Sequence, residues 1–242
     1  MANRIFGHRL DSMSAAQLLS KTESLVKERC KGFVTFCNVH MIMEAEQDSA
    51  FAGVLEESLL NLTDGAPLAR ILKQRGIAAE RTAGPDMMPL LLSLASNQKW
   101  PVAFYGGSEH MLQNLIVWCK QTFPELVISY TKSPPFRTLS ESENLADCTA
   151  INNSGAKLLF VGLGCPKQEN WMHKNRTDVN ALMFGVGGAF SMVTGQIKRA
   201  PQWMQASGLE WLFRFLQEPN RLWKRYLILN VKFIFKLVFT KK

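Results

Sequence analysis

The segment "NLTDGAPLAR" contains Asp64, the residue of this chain best placed for acid–base chemistry. Asp64 follows an apolar stretch and precedes a helical pattern, so its carboxylate could cap the first turn of that helix. A carboxylate held in a partly closed cleft could instead act as a general base and remove a proton from a substrate hydroxyl. The residues by themselves leave both interpretations open.

A second segment, "FVGLGCPKQEN", places two glycines at the end of an apolar run. Gly162 and Gly164 would let backbone amides approach a phosphate, while Lys167, Gln168 and Glu169 add a cation, an amide and an acceptor. A tight strand-to-helix turn with solvated polar side chains explains the same residues. GxG without a third glycine is a weak signal, and no GxGxxG follows the first predicted strand.

Two further polar residues lie next to predicted elements. Asn38 follows a predicted strand, and Arg81 precedes a predicted helix. Asn38 could orient a ligand or complete a turn, and Arg81 in "ERTAGPD" could bind an anionic ligand or pair with a surface acid. The chain has no DxD pair, and its four histidines are scattered, so we predict neither a metal site nor another cofactor.

The elements that would position these residues form an alternating pattern of short apolar runs and helical segments. Residues 32–40 predict a buried strand and residues 41–59 a helix. "WPVAFYGG" predicts a strand, after which Ser108 would cap a helix that Pro124 ends. "AKLLFVGLG" and "ALMFGVGGAF" predict two more strands. Repeated strand, glycine turn and helix predict an α/β, Rossmann-like fold, with a mostly parallel sheet and helices on both faces.

Composition divides the chain into two parts. With 242 residues, 47% of them hydrophobic, it is long enough to bury a full core. The net charge of +8 comes from the C-terminal segment. From Lys198 onward there are ten Lys or Arg residues and only two acidic residues. We therefore predict a catalytic core at 1–195 and a helical basic appendage at 196–242. The scattered cysteines and the missing apolar leader predict reduced thiols and no secretory signal.

Five cations recur in the appendage at spacings of 7, 4, 7 and 4: Arg214, Arg221, Arg225, Lys232 and Lys236. On a helix they fall within a stripe of about 60° beside a wide apolar face, which is typical of a helix lying in the lipid headgroup plane. A helix packed on the core with solvated cations is the alternative. The apolar end of the chain is too short and too interrupted for a transmembrane helix, which needs about 20 apolar residues. Nucleic acid is a weaker expectation, because bulky aliphatics surround the cations. Pro219 is expected to separate two helices within this region.

Eight segments occur together in an order that resembles the WecG/TagA/CpsF glycosyltransferase family, also called glycosyltransferase family 26. They are "CNVH", "TDGAPLAR", "ERTAGPD", "FYGGSEHML", "SGAKLLFVGLGCPKQE", "FGVGGAF", "TGQIKRAPQWMQ" and "GLEWLFRFLQEPNRLWKRY". They span most of the chain, from about Asn38 to Tyr226. Any one of them would be weak, but the set is highly specific.

The resemblance implies an inverting, metal-independent transferase that moves a sugar from a UDP-sugar to a polyprenyl-diphosphate-linked saccharide. Such enzymes make bacterial cell-surface polysaccharides as peripheral proteins on the cytoplasmic face of the inner membrane, where the partner surface is anionic. A homo-oligomer is compatible with the sequence. The alternatives are a non-catalytic membrane adaptor and a nucleotide-binding α/β enzyme of another class, such as a dehydrogenase.

The resemblance also assigns roles to particular residues. Asp64 is the proposed general base, and the substrate-binding positions are Asn38, Arg81, Lys167, Gln168 and Glu169. Three basic residues of the appendage, which closes over the site in the family, match positions that meet the leaving diphosphate: Arg214, Arg221 and Lys224. The sequence departs from the family pattern at Ser191, where an aspartate is common, and at Ser133–Arg137, so the donor sugar stays open.

Overall fold

The computed structural model describes residues 3–223 and 228–239. The strands are β1 Arg4–Ile5, β2 His8–Arg9, β3 Gly32–Cys37, β4 Leu60–Thr63, β5 Val102–Gly106, β6 Ile128–Lys132, β7 Leu158–Gly162 and β8 Leu182–Gly185. The helices are α1 Ala15–Lys27, α2 Val39–Gln47, α3 Ser49–Glu56, α4 Ala66–Gln74, α5 Gly84–Asn97, α6 Glu109–Thr122, α7 Glu141–Asn153, α8 Lys167–Lys174, α9 Ala189–Val193, α10 Gln202–Ser207, α11 Glu210–Gln217, α12 Pro219–Trp223 and α13 Asn230–Phe239.

Six strands form one parallel sheet in the order β4-β3-β8-β7-β5-β6, and β1 and β2 form a small antiparallel pair. The chain builds β3 and β4 at one edge and β5 and β6 at the other, and β7 and β8 then fill the centre. Because all six strands are parallel, their carboxyl ends meet at one edge of the sheet, where ligands collect in such folds. The predicted α/β, Rossmann-like class is confirmed.

Helices cover both faces of the sheet, as the continuous apolar strands require. Alternate residues of β3 enter different cores. Phe33 packs on one face with residues of α2, α3, α4 and α8, and Val34 packs on the other with residues of α1, α5 and α6. The five cysteines form no disulfide in the described part of the chain.

Most predicted helix signals are confirmed. The Ser108 hydroxyl accepts from the Met111 amide at 3.2 Å and caps α6. Gly84 and Pro85 begin α5, and Pro219 begins α12 after α11 has ended.

Two boundary predictions are wrong. The first predicted strand ends at Cys37, because the Asn38 side chain caps α2 and turns the following residues into helix. The single helix predicted over 41–59 is two helices. The Asp48 carboxylate accepts from the amides of Ala50 and Phe51 at 2.9 and 3.3 Å and starts α3. A side chain that bonds its own backbone in this way interrupts a helix despite continuous apolar periodicity.

The appendage packs against the core in the described residues. Leu229 and Phe233 are buried with core residues of α2 and α4. The Phe233 ring meets Phe6 edge-on at 5.5 Å between centroids, and Lys236 pairs with Glu46 of α2. These contacts place α13 beside the carboxyl edge of the sheet.

Candidate active site

A cavity of about 600 Å³ opens at the carboxyl edge of the sheet. Its floor comes from the residues that follow four neighbouring strands, β4, β3, β8 and β7, and its roof comes from α11 and α13 of the appendage. The volume lies in the range of small-ligand sites, and the position is the one at which parallel sheets bind ligands. Asn38, Asp64, Arg81, Gln168 and Arg214 all line it.

Asp64 stands at the end of β4, where its amide donates to the Cys37 carbonyl at 2.7 Å and joins the ends of β3 and β4. The next residue, Gly65, has φ of +101° and is the N-cap of α4, which has no side-chain capping bond. The capping interpretation of Asp64 is therefore wrong. A residue with a side chain would be strained at Gly65, so this glycine permits the sharp turn that leaves the carboxylate at the cavity.

Burial raises the pKa of Asp64 from its ordinary value of 3.8 to about 7. Arg81 and Arg214 act in the opposite direction, whereas Glu210 and Asp86 raise the pKa further. A carboxyl group with a pKa near neutrality can accept a proton in the transition state and still be ionised in a large fraction of molecules at pH 7. The site therefore holds a carboxylate suited to general-base chemistry.

Arg81 is held beside Asp64 by the backbone that follows it. The Thr82 amide donates to the Thr63 carbonyl at 2.8 Å, so the segment before α5 runs next to the end of β4. The Arg81 guanidinium donates to Asp86 at 3.0 Å and to Glu210 at 2.6 Å. Two roles were predicted for Arg81, binding an anionic ligand and pairing with an acid. The structure shows the pairing, and the paired residues are partly buried at the cavity.

These contacts form a four-residue ion-pair network, Arg81–Asp86–Arg199–Glu210. Arg199 pairs with Asp86 and lies 3.8 Å from Glu210. Two of its members belong to the core and two to the appendage, and the charges balance. The network therefore fixes α11 against the start of α5 at the edge of the cavity.

Arg214 extends from α11 into the cavity. A Cβ added at Gly188 would lie 3.3 Å from its Nη2 atom, so the guanidinium packs against the glycine turn after β8. The Arg214 Nε is buried and has no hydrogen-bond partner among the residues the structure describes. Lys224 lies outside the described residues, as does the side chain of Arg221, so their predicted contacts with a diphosphate stay predictions.

The cations of the appendage lie on separate helices, as the expected break at Pro219 implies. Arg214 lines the cavity, and Lys236 turns toward the core, pairing with Glu46 and lying 5.1 Å from the centre of the Phe6 ring. Lys232 is exposed, and Arg225 falls outside the described residues. The break at Pro219 gives each helix its own orientation, which removes the common helical phase that the spacing assumed.

Asn38 takes the second of its two predicted roles, at the turn into α2, and its role in orienting a ligand stays a prediction. Its Oδ1 accepts from the Met41 amide at 3.3 Å and caps α2, and the same side chain lines the cavity. The cap uses only the carbonyl oxygen, which leaves the Nδ2 donors of this amide for another partner.

Gln168 connects two loops of the floor. Its Nε2 donates to the Gly185 carbonyl at 3.1 Å and to Glu169 at 2.7 Å, and its Oε1 accepts from the Gly164 amide at 3.2 Å. The side chain thus holds the turns after β7 and β8 together. Glu169 is fully buried behind it and Lys167 is exposed, and neither lines the cavity, so their substrate contacts stay predictions.

Several cavity residues were not singled out from the sequence, namely His40, Arg70, Glu210 and Trp211. Arg70 lies one turn after Ala66 on α4, which follows Asp64 in the chain. Its guanidinium donates to the Ser207 carbonyl at 3.4 Å and contacts the appendage. Glu210 gave no local signal, because its importance depends on Arg81, which is 129 residues away.

Within residues 3–223 and 228–239 the structure has neither a metal-binding cluster nor a membrane-spanning helix. No group of three or more His, Cys, Asp or Glu side chains is arranged to hold a metal ion. No helix in this part of the chain combines the length and apolar character needed to cross a bilayer.

The chain is similar to known proteins over most of its length. The model of the Glycosyl transferase WecG/TagA/CpsF family matches residues 3–242. A protein of Bacillus spizizenii, named N-acetylglucosaminyldiphosphoundecaprenol N-acetyl-beta-D-mannosaminyltransferase, is 32% identical over 213 residues. The matched region covers 86% of this chain and 80% of the relative.

Proposed function

Because this chain belongs to the WecG/TagA/CpsF family of glycosyltransferases, we propose that it transfers a sugar from a UDP-sugar to a saccharide linked to polyprenyl diphosphate. We further propose that the reaction inverts the anomeric centre and uses no metal. The name of the Bacillus relative, with its diphosphoundecaprenol acceptor, supports the acceptor class. The observation that carries the proposal is Asp64, a carboxyl group with a pKa of about 7 at a cavity also lined by Arg81 and Arg214.

Asp64 acts as the general base in this proposal. Its carboxylate takes the proton of the acceptor hydroxyl while the hydroxyl oxygen attacks the anomeric carbon of the donor sugar. The bond between that carbon and the diphosphate oxygen breaks, and its electron pair leaves with UDP. Attack opposite the leaving group inverts the configuration at the anomeric carbon.

Cationic side chains neutralise the charge that develops on the departing diphosphate. Arg214 lies in the cavity with a buried Nε. By resemblance, Arg221 and Lys224 join it when the appendage closes fully. Fixed guanidinium groups in a site that excludes water stabilise such charge strongly, so they can take the place of a divalent metal. Turnover in the presence of EDTA is the corresponding expectation.

The floor of the cavity would orient the substrates. Asn38 offers amide donors next to Asp64, and Gln168 fixes the glycine turns after β7 and β8 at which a donor phosphate would approach. Lys167 and Glu169 would act from outside this floor, the lysine by charge and the glutamate through its hydrogen bond to Gln168.

The appendage also supports docking at a membrane. The outward residues of α13 include the exposed apolar side chains Phe235, Val238 and Phe239, while its other side packs on α2. An exposed apolar helix face of this kind inserts among lipid headgroups. We propose that the protein is peripheral on the cytoplasmic face of a bacterial inner membrane, where a lipid-linked acceptor would be available.

The appendage links docking to chemistry in this proposal, because α11 and α13 both line the cavity that contains Asp64. An appendage that closes completely only on lipid would exclude water from the site when the acceptor is present. Hydrolysis of the donor in the absence of acceptor would thereby be suppressed.

The test is UDP release by the full-length protein, supplied with a panel of UDP-sugars and a lipid-diphosphate saccharide in detergent with EDTA. Asp64→Asn should lose about a hundredfold or more of the turnover, because it keeps the shape of the side chain but cannot accept the proton. Asp178→Asn is the matched control, because it makes the same chemical change at an exposed position. It should keep full turnover.

The outcomes separate the competing functions. UDP release that requires both acceptor and Asp64 establishes the transferase and identifies the donor. Full turnover by Asp64→Asn would refute the general-base role. A protein that binds the membrane but never releases UDP with any pair of substrates would be the non-catalytic adaptor.

A further inference from the structure

The cavity has two ends of different chemistry. One end carries Asp64, Arg81, Glu210 and Arg214. The other lies between α2, α4 and α13, which contribute mostly apolar side chains and also His40, Arg70, Gln74 and Asn230; the apolar ones are Val39, Met41, Ile71, Val231, Phe233, Ile234 and Leu237. Sugar and phosphate groups account for the polar end but need no apolar wall of this kind.

The outer side of the apolar end is built by α13. Phe233 is buried in the core, and the pairing of Lys236 with Glu46 fixes the helix to α2. Ile234 lines the cavity but keeps 59% of its surface exposed, so it lies at the rim. The apolar end therefore opens outward, beside the exposed apolar face of the same helix.

We propose that this apolar end binds the isoprenoid segment adjacent to the diphosphate of the acceptor. The inference rests on the proposed function, in which the acceptor saccharide is linked to a polyprenyl diphosphate. Two observations favour an isoprenyl diphosphate over a purely polar ligand: the cation Arg70 stands next to Ile71 of the apolar wall on α4, and that wall continues into the exposed apolar face of α13.

The dimensions limit the bound segment to the first part of the chain. From Asn230 to Leu237 the helix wall is roughly 10 Å long, at the usual rise of an α-helix. The remainder of a long tail would leave at the rim past Ile234 and continue along the outward face of α13. A tail held in this way places the saccharide end of the acceptor near Asp64, so the segment positions the acceptor as well as binding it.

Binding of farnesyl diphosphate and of inorganic diphosphate to the full chain, measured by calorimetry without detergent, tests the proposal. The wild type should bind farnesyl diphosphate at least about tenfold more tightly, because burial of only two methylene groups is worth about that factor. Equal affinities for the two ligands, or no binding of farnesyl diphosphate, would overturn the proposal.

Two substitutions on α13 locate the tail. Ile234 and Val238 are each 59% exposed, but only Ile234 lines the cavity. Ile234→Gln should weaken farnesyl diphosphate binding by about fivefold and leave inorganic diphosphate binding unchanged. Val238→Gln should change neither. Equal losses of farnesyl diphosphate affinity in the two variants would show that the tail binds the exposed face of the helix. That result would refute the cavity site.

The UDP-release assay separates this inference from the proposed function. Asp64-dependent release together with equal affinities for the two diphosphates would keep the transferase and refute the tail site. Selective binding of farnesyl diphosphate that Ile234→Gln weakens, without UDP release by the wild type, would keep the tail site and refute the transferase.

Discussion

Arg81 of the core donates a hydrogen bond of 2.6 Å to Glu210 of the appendage, although 129 residues separate them in the chain. Both residues line the cavity that contains Asp64, and both act on the pKa of its carboxyl group, in opposite directions. One ion pair thus fixes the appendage over the site and adjusts the proposed base.

The pH dependence of activity should shift in opposite directions when the two partners are neutralised. Glu210→Gln removes a negative charge that raises the pKa of Asp64, so the acidic limb of kcat/KM should move below its position near pH 7. Arg81→Gln removes a cation and should move the limb upward. Each shift should be about half to one pH unit. The measurement is UDP release between pH 5 and 9.

Glu80→Gln is the control for these two variants, because Glu80 is exposed and adjacent to Arg81 in sequence. Its pH profile should match the wild type. Shifts of Glu210→Gln and Arg81→Gln in the same direction would contradict the electrostatic explanation.

Asp64→Asn should stabilise the protein at neutral and alkaline pH. The folded-state pKa of about 7 lies above the ordinary value of 3.8, so the folded state binds the proton more tightly than the unfolded state. Stability of the wild type therefore falls as pH rises between these two values, and the loss is complete above about pH 7. The variant avoids this loss and should be more stable by about 1–3 kcal/mol at pH 8, with remaining solvent contact limiting the gain.

Denaturant unfolding of wild type and Asp64→Asn at pH 5 and pH 8 measures this difference directly. The gap between the two proteins should narrow at pH 5, where the carboxyl group of the folded wild type is largely protonated. A gap of the same size at both pH values would show that the carboxyl group is not buried in the way described.

Gly106→Ala should destabilise the sheet beneath the cavity. Gly106 ends β5 with φ of +114°, and a Cβ there would lie 2.6 Å from the carbonyl carbon and oxygen of Gly162 on β7. Backbone atoms cannot move aside as a flexible side chain can, so we expect a loss of about 3 kcal/mol or more. Gly155→Ala is the control, with φ of +71° and nothing within 4 Å. Its cost should be only about 1 kcal/mol in urea unfolding.

Binding to anionic vesicles should depend on the outward face of α13. Phe235 and Phe239 are 63% and 71% exposed, and their rings contact each other at 4.2 Å between centroids. The double variant Phe235→Gln, Phe239→Gln should bind vesicles about tenfold more weakly in a flotation assay, because it loses two aromatic anchors. Val117→Gln, at an exposed apolar position on α6, should bind as the wild type does. Equal binding by all three proteins would place the membrane contact elsewhere.

The sequence by itself determined the fold class and four of the six parallel strands, β3, β5, β7 and β8, but not β4 or β6. Parallel sheets collect ligands where their strands end, so Asn38 and Gln168 could be named as candidates, and Asp64 was named as a carboxylate after an apolar stretch. These signals are local: a strand, its turn and the next helix cap lie within about ten residues of one another, and they are encoded by the residues themselves. Prediction from local sequence was wrong at Asp48. The apolar periodicity predicted one continuous helix there, but the Asp48 side chain caps α3 and divides it.

Only the tertiary structure decided what those residues contact. Whether Asp64 caps a helix or faces a cavity depends on the φ of Gly65, and whether Arg81 meets Glu210 depends on where the appendage packs. The directions of the appendage cations were decided in the same way, since helices separated at Pro219 take their orientations from the surfaces they cover, so that Arg214 enters the cavity and Lys236 pairs with Glu46. Sequence spacing fixes side-chain directions within one helix, but contacts between distant segments follow from the packing of the whole chain.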